Sequence, residues 1–183
     1  MQYVLISACL LGRPVRYNGS AAASDHPVLA AWNTEGRLIV VCPEVAAGLT
    51  IPRLPAEIAA EHSGRQVLLG EAQVLESNGQ DVSQAFVSGA KQALAIAKAK
   101  NIQIAILKEG SPSCGSSYIY DGSFTGTKHA QAGVTAALLQ DAGIRVFSEL
   151  ELDEAEAYLK GLEADFSNEN SPRNGMKIIE SIF

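Results

Sequence analysis

Val4-Leu5-Ile6-Ser7-Ala8-Cys9-Leu10-Leu11-Gly12 is an apolar run that breaks into a small-residue turn carrying a cysteine. A strand with one wet face alternates polar and apolar side chains. This run does not, so it is expected to be buried on both faces, as in a parallel sheet. The arrangement recurs twice. Leu38-Ile39-Val40-Val41 leads into Cys42-Pro43-Glu44, and Ile104-Ala105-Ile106-Leu107 leads through Lys108-Glu109-Gly110-Ser111-Pro112-Ser113 into Cys114. Arg145 to Ser148 reads as a fourth strand. Helical patterns lie between these strands, which means βαβ units with right-handed crossovers. The expected fold is α/β: a Rossmann-like open, mostly parallel sheet flanked by helices. In such sheets ligands bind at the carboxyl edge of the strands, where all three cysteines are delivered.

The connections fill in around that frame. Gly12 to Ala23 reads as a loop, and Ser24 or Asp25 as the cap of a helix with Pro27 in its first turn. Pro43 to Pro55 holds three prolines and is expected to be a long loop without regular helix or central strand. Gln66 to Leu69 and Ala72 to Leu75 flank Gly70 and suggest a small edge hairpin. Asp81 caps a helix to about Lys100, whose apolar positions Phe86, Ala90, Ala93, Leu94 and Ala97 have helical spacing. Gly110 to Gly133 is a second long loop, with a short strand at Tyr118-Ile119-Tyr120. Val134 to Ala142 is a helix, and Asp153 to Glu163 a surface helix. Residues 1–150 are expected to form the α/β domain carrying the three-cysteine site. Residues 151–183 are expected to form a C-terminal helix and a loose tail from Asp165 that could dock or swap, and a homodimer is a candidate assembly.

Of the 183 residues, 47% are apolar, enough for one buried core. The formal net charge of −6 argues against a surface that tracks extended nucleic acid, which needs a basic stripe. No run reaches the roughly 18 apolar residues of a membrane helix. Leu5-Ile6-Ser7-Ala8-Cys9 superficially looks like a lipoprotein cleavage box, but no basic residue precedes it and the stretch is too short. A cytoplasmic location is therefore expected. An odd number of cysteines, three, also speaks against a secreted disulfide framework.

A buried cysteine is usually inert packing. Three that each follow a strand, beside Gly, Pro or Ser, are a different pattern. Meeting at one point they would make a metal or cluster site with a vacant position. A three-thiolate zinc site holding water would hydrolyse a substrate. Zinc sites usually include a local Cys-x2-Cys pair, which is absent. An iron–sulfur cluster, whose corners lie several ångströms apart, suits widely separated single thiolates better. Three ligands for four irons leave one iron open to a soft atom such as sulfur. A non-catalytic iron–sulfur sensor or binding module uses the same residues.

Glu44 stands two residues past Cys42, after Pro43. A desolvated carboxyl there could move protons. Ser111, at the strand end, is the better candidate for a hydrogen bond to a ligand, and Ser113 for a turn former. Lys108 and Glu109 are expected to pair with each other, and Arg53, between two prolines, to anchor its loop. His26, His62 and His129 lie in unrelated segments expected to be exposed and are weak ligand candidates. The Gly-rich turns make no phosphate-binding pattern.

Ser7-Ala8-Cys9-Leu10-Leu11-Gly12 with Arg16-Tyr17-Asn18-Gly19, then Cys42-Pro43-Glu44 with Gly48-Leu49 and Pro52-Arg53, resemble the DUF523 family, which includes the thiouracil desulfidases. So do Asp81-Val82-Ser83, Lys108-Glu109-Gly110-Ser111-Pro112-Ser113-Cys114-Gly115, Ile119-Tyr120-Asp121-Gly122 and Gly133-Val134-Thr135-Ala136. The match runs from about residue 3 to residue 149. The resemblance implies a [4Fe-4S] cluster held by Cys9, Cys42 and Cys114, with substrate sulfur on the open iron. It implies non-redox removal of sulfur from 2-thiouracil or a related small thiolated nucleobase, giving uracil and sulfide. Glu44 matches the family's proton-handling acid and Ser111 a serine at the substrate.

Overall fold

In this computed structural model, residues 1–169 are described. The chain opens with β1 (Val4–Ser7), a 3-10 turn (Ala8–Leu11) and α1 (Pro27–Thr34). β2 (Leu38–Val41) runs into the single-turn helix α2 (Pro43–Ala46). β3 (Ala56–Ile58), α3 (Gly64–Leu69) and β4 (Val74–Glu76) form a small lobe. The long helix α4 (Ser83–Ala99) leads to β5 (Ile104–Leu107). The short strands β6 (Ile119–Tyr120) and β7 (Lys128–His129) precede α5 (Val134–Asp141), β8 (Arg145–Ser148) and α6 (Leu152–Glu169).

The main sheet has the order β2-β1-β5-β8, with every neighbouring pair parallel. Val4 stands between Leu38 and Ile104 in the register, and Ile104 pairs with Arg145. Both faces are buried. Val4, Ile6, Ile104, Ile106 and Phe147 pack on one side with Val28, Leu29 and Trp32 of α1 and Leu152, Ala155 and Leu159 of α6. Leu5, Ala105, Leu107 and Val146 pack on the other with Ala97 of α4 and Ala136 and Leu139 of α5. That two-sided burial is why the strands show no alternation.

The order also fixes a switch point. From β1 the chain moves outward to β2 on one side, then returns to β5 on the other. The connections leaving β1 and β5 diverge, which opens a crevice at their carboxyl ends. The hydroxyl of Ser7, the last residue of β1, accepts the Lys108 amide just past β5 at 3.1 Å.

Several local expectations are corrected. Residues 66–75 form no hairpin. Ser63 and Gln66 make a reciprocal capping box that starts α3, and Gly70 ends it in the left-handed conformation. β4 pairs instead with β3, antiparallel, and Phe86 of α4 packs with Ile58 and Val74 in the cluster beneath. Pro43–Pro55 is not helix-free, because Pro43 occupies a first helical position where its missing N–H costs nothing. The cap of α1 is His26, neither Ser24 nor Asp25; its Nδ1 accepts the Val28 amide at 3.3 Å. Helix α6 is not purely on the surface, since it buries Leu152, Ala155 and Leu159. It runs on to Glu169, through the first residues of the expected tail. The rest of that tail lies outside the described residues. Among those described, no helix is long and apolar enough to cross a membrane.

Candidate active site at the carboxyl edge of the sheet

Each cysteine is placed by the strand before it. Cys9 sits in the 3-10 turn that follows β1, and Gly12 closes that turn at φ 81°. Cys42 is the N-cap of α2. That turn lies flush on α4: a Cβ added at Gly89 would come within 2.2 Å of the Pro43 carbonyl oxygen. Cys114 closes a turn whose amides are gathered by Ser111, whose Oγ accepts Ser113 N at 3.1 Å and Cys114 N at 3.2 Å. The Ser7 hydroxyl reaches across from β1 to donate to Cys114 Sγ at 3.6 Å.

All three thiols are free and line one cavity of about 390 Å³, together with Glu44 and Ser111. That volume is within the range of small-molecule sites. The five candidate residues read from the sequence are thus brought to one place. His26, His62 and His129 are not. They are half-buried, none lines the cavity, and His26 pairs with Asp153 at 3.6 Å.

The thiols sit in one another's electrostatic field. Burial pushes Cys9 up to about 11, and the neighbouring Cys42 adds to the rise. Burial likewise raises Cys42. Cys114, buried most deeply, is raised by desolvation first and then by the charges of Glu44, Cys9 and Cys42. Three such thiols stay protonated at neutral pH unless a cationic centre takes their protons' place. Among the described residues, no three His, Cys, Asp or Glu side chains stand close enough to hold a single metal ion.

The acid of the site is held by a partner that the sequence assigned only to its loop. Arg53 donates from Nε and Nη2 to Oε2 of Glu44, at 3.1 and 2.5 Å. It also anchors the loop as expected, through the carbonyls of Val15 and Thr50. The other carboxylate oxygen, Oε1, faces the Ser111 hydroxyl at 3.5 Å. Glu44 is therefore an ion-paired group with one oxygen turned to the cavity.

Lys108 and Glu109 do not pair with each other through their side chains. Lys108 Nζ is taken by Glu149, while the Glu109 carboxylate accepts loop amides. The sequence reading missed this role of Glu109, although a partly buried Gly-Ser-rich loop without strand partners must find acceptors for its N–H groups. It also missed Tyr17, Tyr118 and Tyr120, which give the cavity aromatic walls. No spacing in the sequence marks them.

The model of the 2-thiouracil desulfurase family matches residues 4–151. The chain belongs to that family. A protein of Bacillus subtilis (strain 168), uncharacterized protein YbbK, is 46% identical over 151 residues, which is 82% of this chain and 98% of that one. Among solved structures, the [4Fe-4S]-dependent thiouracil desulfidase TudS superposes with a TM-score of 0.79 at 44% identity, over 87% of this chain and 99% of that one. The open parallel sheet of this family member is thus the expected α/β fold, and the chain is an enzyme of the desulfidase type. The family match ends at Glu151, so all of α6 lies beyond it.

Proposed function

We propose that this enzyme removes sulfur from a small thiolated nucleobase, with 2-thiouracil giving uracil and sulfide, through a [4Fe-4S] cluster held by Cys9, Cys42 and Cys114. The observation that carries the proposal is the shared cavity. Three thiols from three strands, a carboxylate and a hydroxyl line its wall. Three single thiolates from separate loops, with no local Cys-x2-Cys pair, suit a polynuclear cluster better than a lone zinc. When bound, the cluster would supply a Lewis-acidic iron with an open position, of a kind that suits sulfur.

The chain's own residues do the rest. Arg53 fixes one oxygen of Glu44, so that Oε1, outside the ion pair, takes a proton from water as that water adds to the thiocarbonyl carbon. Glu44 then returns that proton to the departing sulfur, and the second proton of the water, left on the new hydroxyl, follows as the carbon–sulfur bond breaks and the carbonyl forms. A thiocarbonyl and water thereby become a carbonyl and hydrogen sulfide, with no change of oxidation state. The Ser111 hydroxyl, 3.5 Å from Oε1, orients the acid and the ring edge. The tyrosines offer flat apolar faces to a heterocycle. The volume and the net charge of −6 favour a free base over an extended nucleic acid.

The test is anaerobic reconstitution, iron and sulfide analysis, and sulfide release from a panel of thiolated pyrimidines. Wild type is expected to carry about four irons and to release sulfide from 2-thiouracil. Glu44→Gln should keep its iron and lose about 100-fold or more of the rate. Full iron with no sulfide from any thiolated base would make the protein a sensor or binding module. Activity restored by zinc alone would make it a zinc hydrolase.

A further inference from the structure

Glu109 is a charged side chain with only 5% of its surface exposed, and its carboxylate is taken up by the backbone of the segment that follows it. One oxygen, Oε1, accepts the amides of Gly110, Ser116, Ser117 and Tyr118 at 3.0–3.2 Å. The other accepts the Ser116 hydroxyl at 3.0 Å and the Ser117 amide at 3.2 Å. Every one of these donors lies between residues 110 and 118, and that segment carries Ser111, Cys114 and Tyr118 into the cavity.

The segment has no strand to satisfy its backbone, and it divides the work in two. Its carbonyls face α5: Pro112 O accepts Val134 N at 2.9 Å, Ser113 O accepts Thr135 N at 2.8 Å and Gly115 O accepts Gly133 N at 2.8 Å. The amides at its two ends converge on Glu109. A buried concavity of N–H groups favours an anion, because a neutral group cannot accept so many donors at once. The foot of the segment is held as well, since the Glu109 amide donates to Glu149 Oε2 at 2.8 Å. The Tyr118 ring then lies against Gly110 and takes Lys128 Nζ 4.2 Å from its centroid.

We propose that Glu109 is the positioning residue of the thiol site: through the 110–118 backbone it sets where Ser111, Cys114 and Tyr118 enter the cavity. The inference rests on the site read above for its significance, but not on the reaction. Cys9 and Cys42 arrive on other strands, so loss of Glu109 should free Cys114 and leave those two in place.

The experiment uses the full chain, free of iron, with iodoacetamide labelling of each cysteine followed by peptide mass spectrometry. In wild type Cys114 should be slow, because labelling needs the segment to open. E109Q keeps one acceptor oxygen but turns an amide nitrogen and its hydrogens toward the Ser117 amide. It is expected to speed Cys114 labelling about tenfold or more while Cys9 and Cys42 stay within about twofold. Ser116→Ala, which removes one hydroxyl donor and is not expected to threaten folding, should show the same selectivity at about threefold. An unchanged Cys114 rate in E109Q, or three rates that rise together as in general destabilisation, overturns the proposal. If E109Q does not fold, Ser116→Ala decides by the same two criteria. No substrate or cluster enters the assay, so a wrong substrate assignment cannot produce either result.

Discussion

Replacing Arg53 with methionine tests how the acid of the site is held. The guanidinium side chain is only 6% exposed and that of Glu44 16%, so the pair is largely shielded from water. Arg53 donates twice to Glu44 Oε2, and it binds the Val15 carbonyl at 3.4 Å and the Thr50 carbonyl at 3.1 Å. Methionine fills most of the volume and supplies no donor. Breaking a buried pair by removing one partner costs about 3–5 kcal/mol. The remaining exposure of Glu44 screens part of that, so a loss of about 3 kcal/mol is expected. At roughly 2–4 °C per kcal/mol for a chain of this size, Tm should fall by about 6–12 °C. Because the same bonds tie together the Val15 and Thr50 loops, proteolysis should begin at those loops. The decisive assay is a double-mutant cycle with Glu44→Gln, followed by chemical denaturation of the iron-free protein. A coupling of about 1–3 kcal/mol is expected, since a neutral glutamine side chain loses far less than a carboxylate when the guanidinium goes. Additive effects, or a Tm within about 2 °C of wild type for Arg53→Met, would show that the ion pair does not hold the acid.

Two other outcomes follow from the packing and charge around the site. Gly89→Ala would drive a methyl to 2.2 Å from the Pro43 carbonyl oxygen, pushing away the turn that carries Cys42 and Glu44. It should lower Tm by about 4–12 °C through overpacking of about 2–3 kcal/mol, whereas Gly161→Ala on the exposed face of α6, with nothing within 4 Å, should be neutral or slightly stabilising by thermal melt. Acid should act on Glu109. Burial pushes its carboxyl up, but the amides of Tyr118, Ser117 and Gly110 and the Ser116 hydroxyl outweigh this and hold it below the ordinary value of 4.5. A depressed carboxyl contributes stability above its unfolded value and loses it as pH falls through its folded one. The stability gap between wild type and E109Q, measured by urea denaturation, should therefore narrow as pH drops from 7 to about 3; a gap that stays constant or widens contradicts the charge-based role.

The main frame was legible because burial on both faces leaves a plain mark. Val4–Ser7 and Ile104–Leu107 are apolar without alternation, and they are the two central strands. Site residues that end such strands were legible for the same reason: the carboxyl edge follows from strand direction alone. The lobe made by α3, β3 and β4 was not. Gln66–Leu69 has the composition of either element, and only the capping box of Ser63 and Gln66 decides for helix. Arg53 and Glu109 were seen as residues but given the wrong or partial partners. Their true partners are Glu44, nine residues away on a separate turn, and the folded-back amides of 116–118.

The sequence by itself determined the parallel α/β class, the delivery of Cys9, Cys42 and Cys114 to one edge, and the acid beside the second of them. These follow from periodicity and from turn residues next to the strands, which are local properties. Only the tertiary structure decided that the thiols share a cavity, that Arg53 binds one oxygen of Glu44 and leaves the other to Ser111, and that Glu109 gathers the loop bearing Cys114. Those depend on strand order and on how loops from different crossovers close over the switch point. Side chains far apart in the chain acquire partners there that no window of sequence contains.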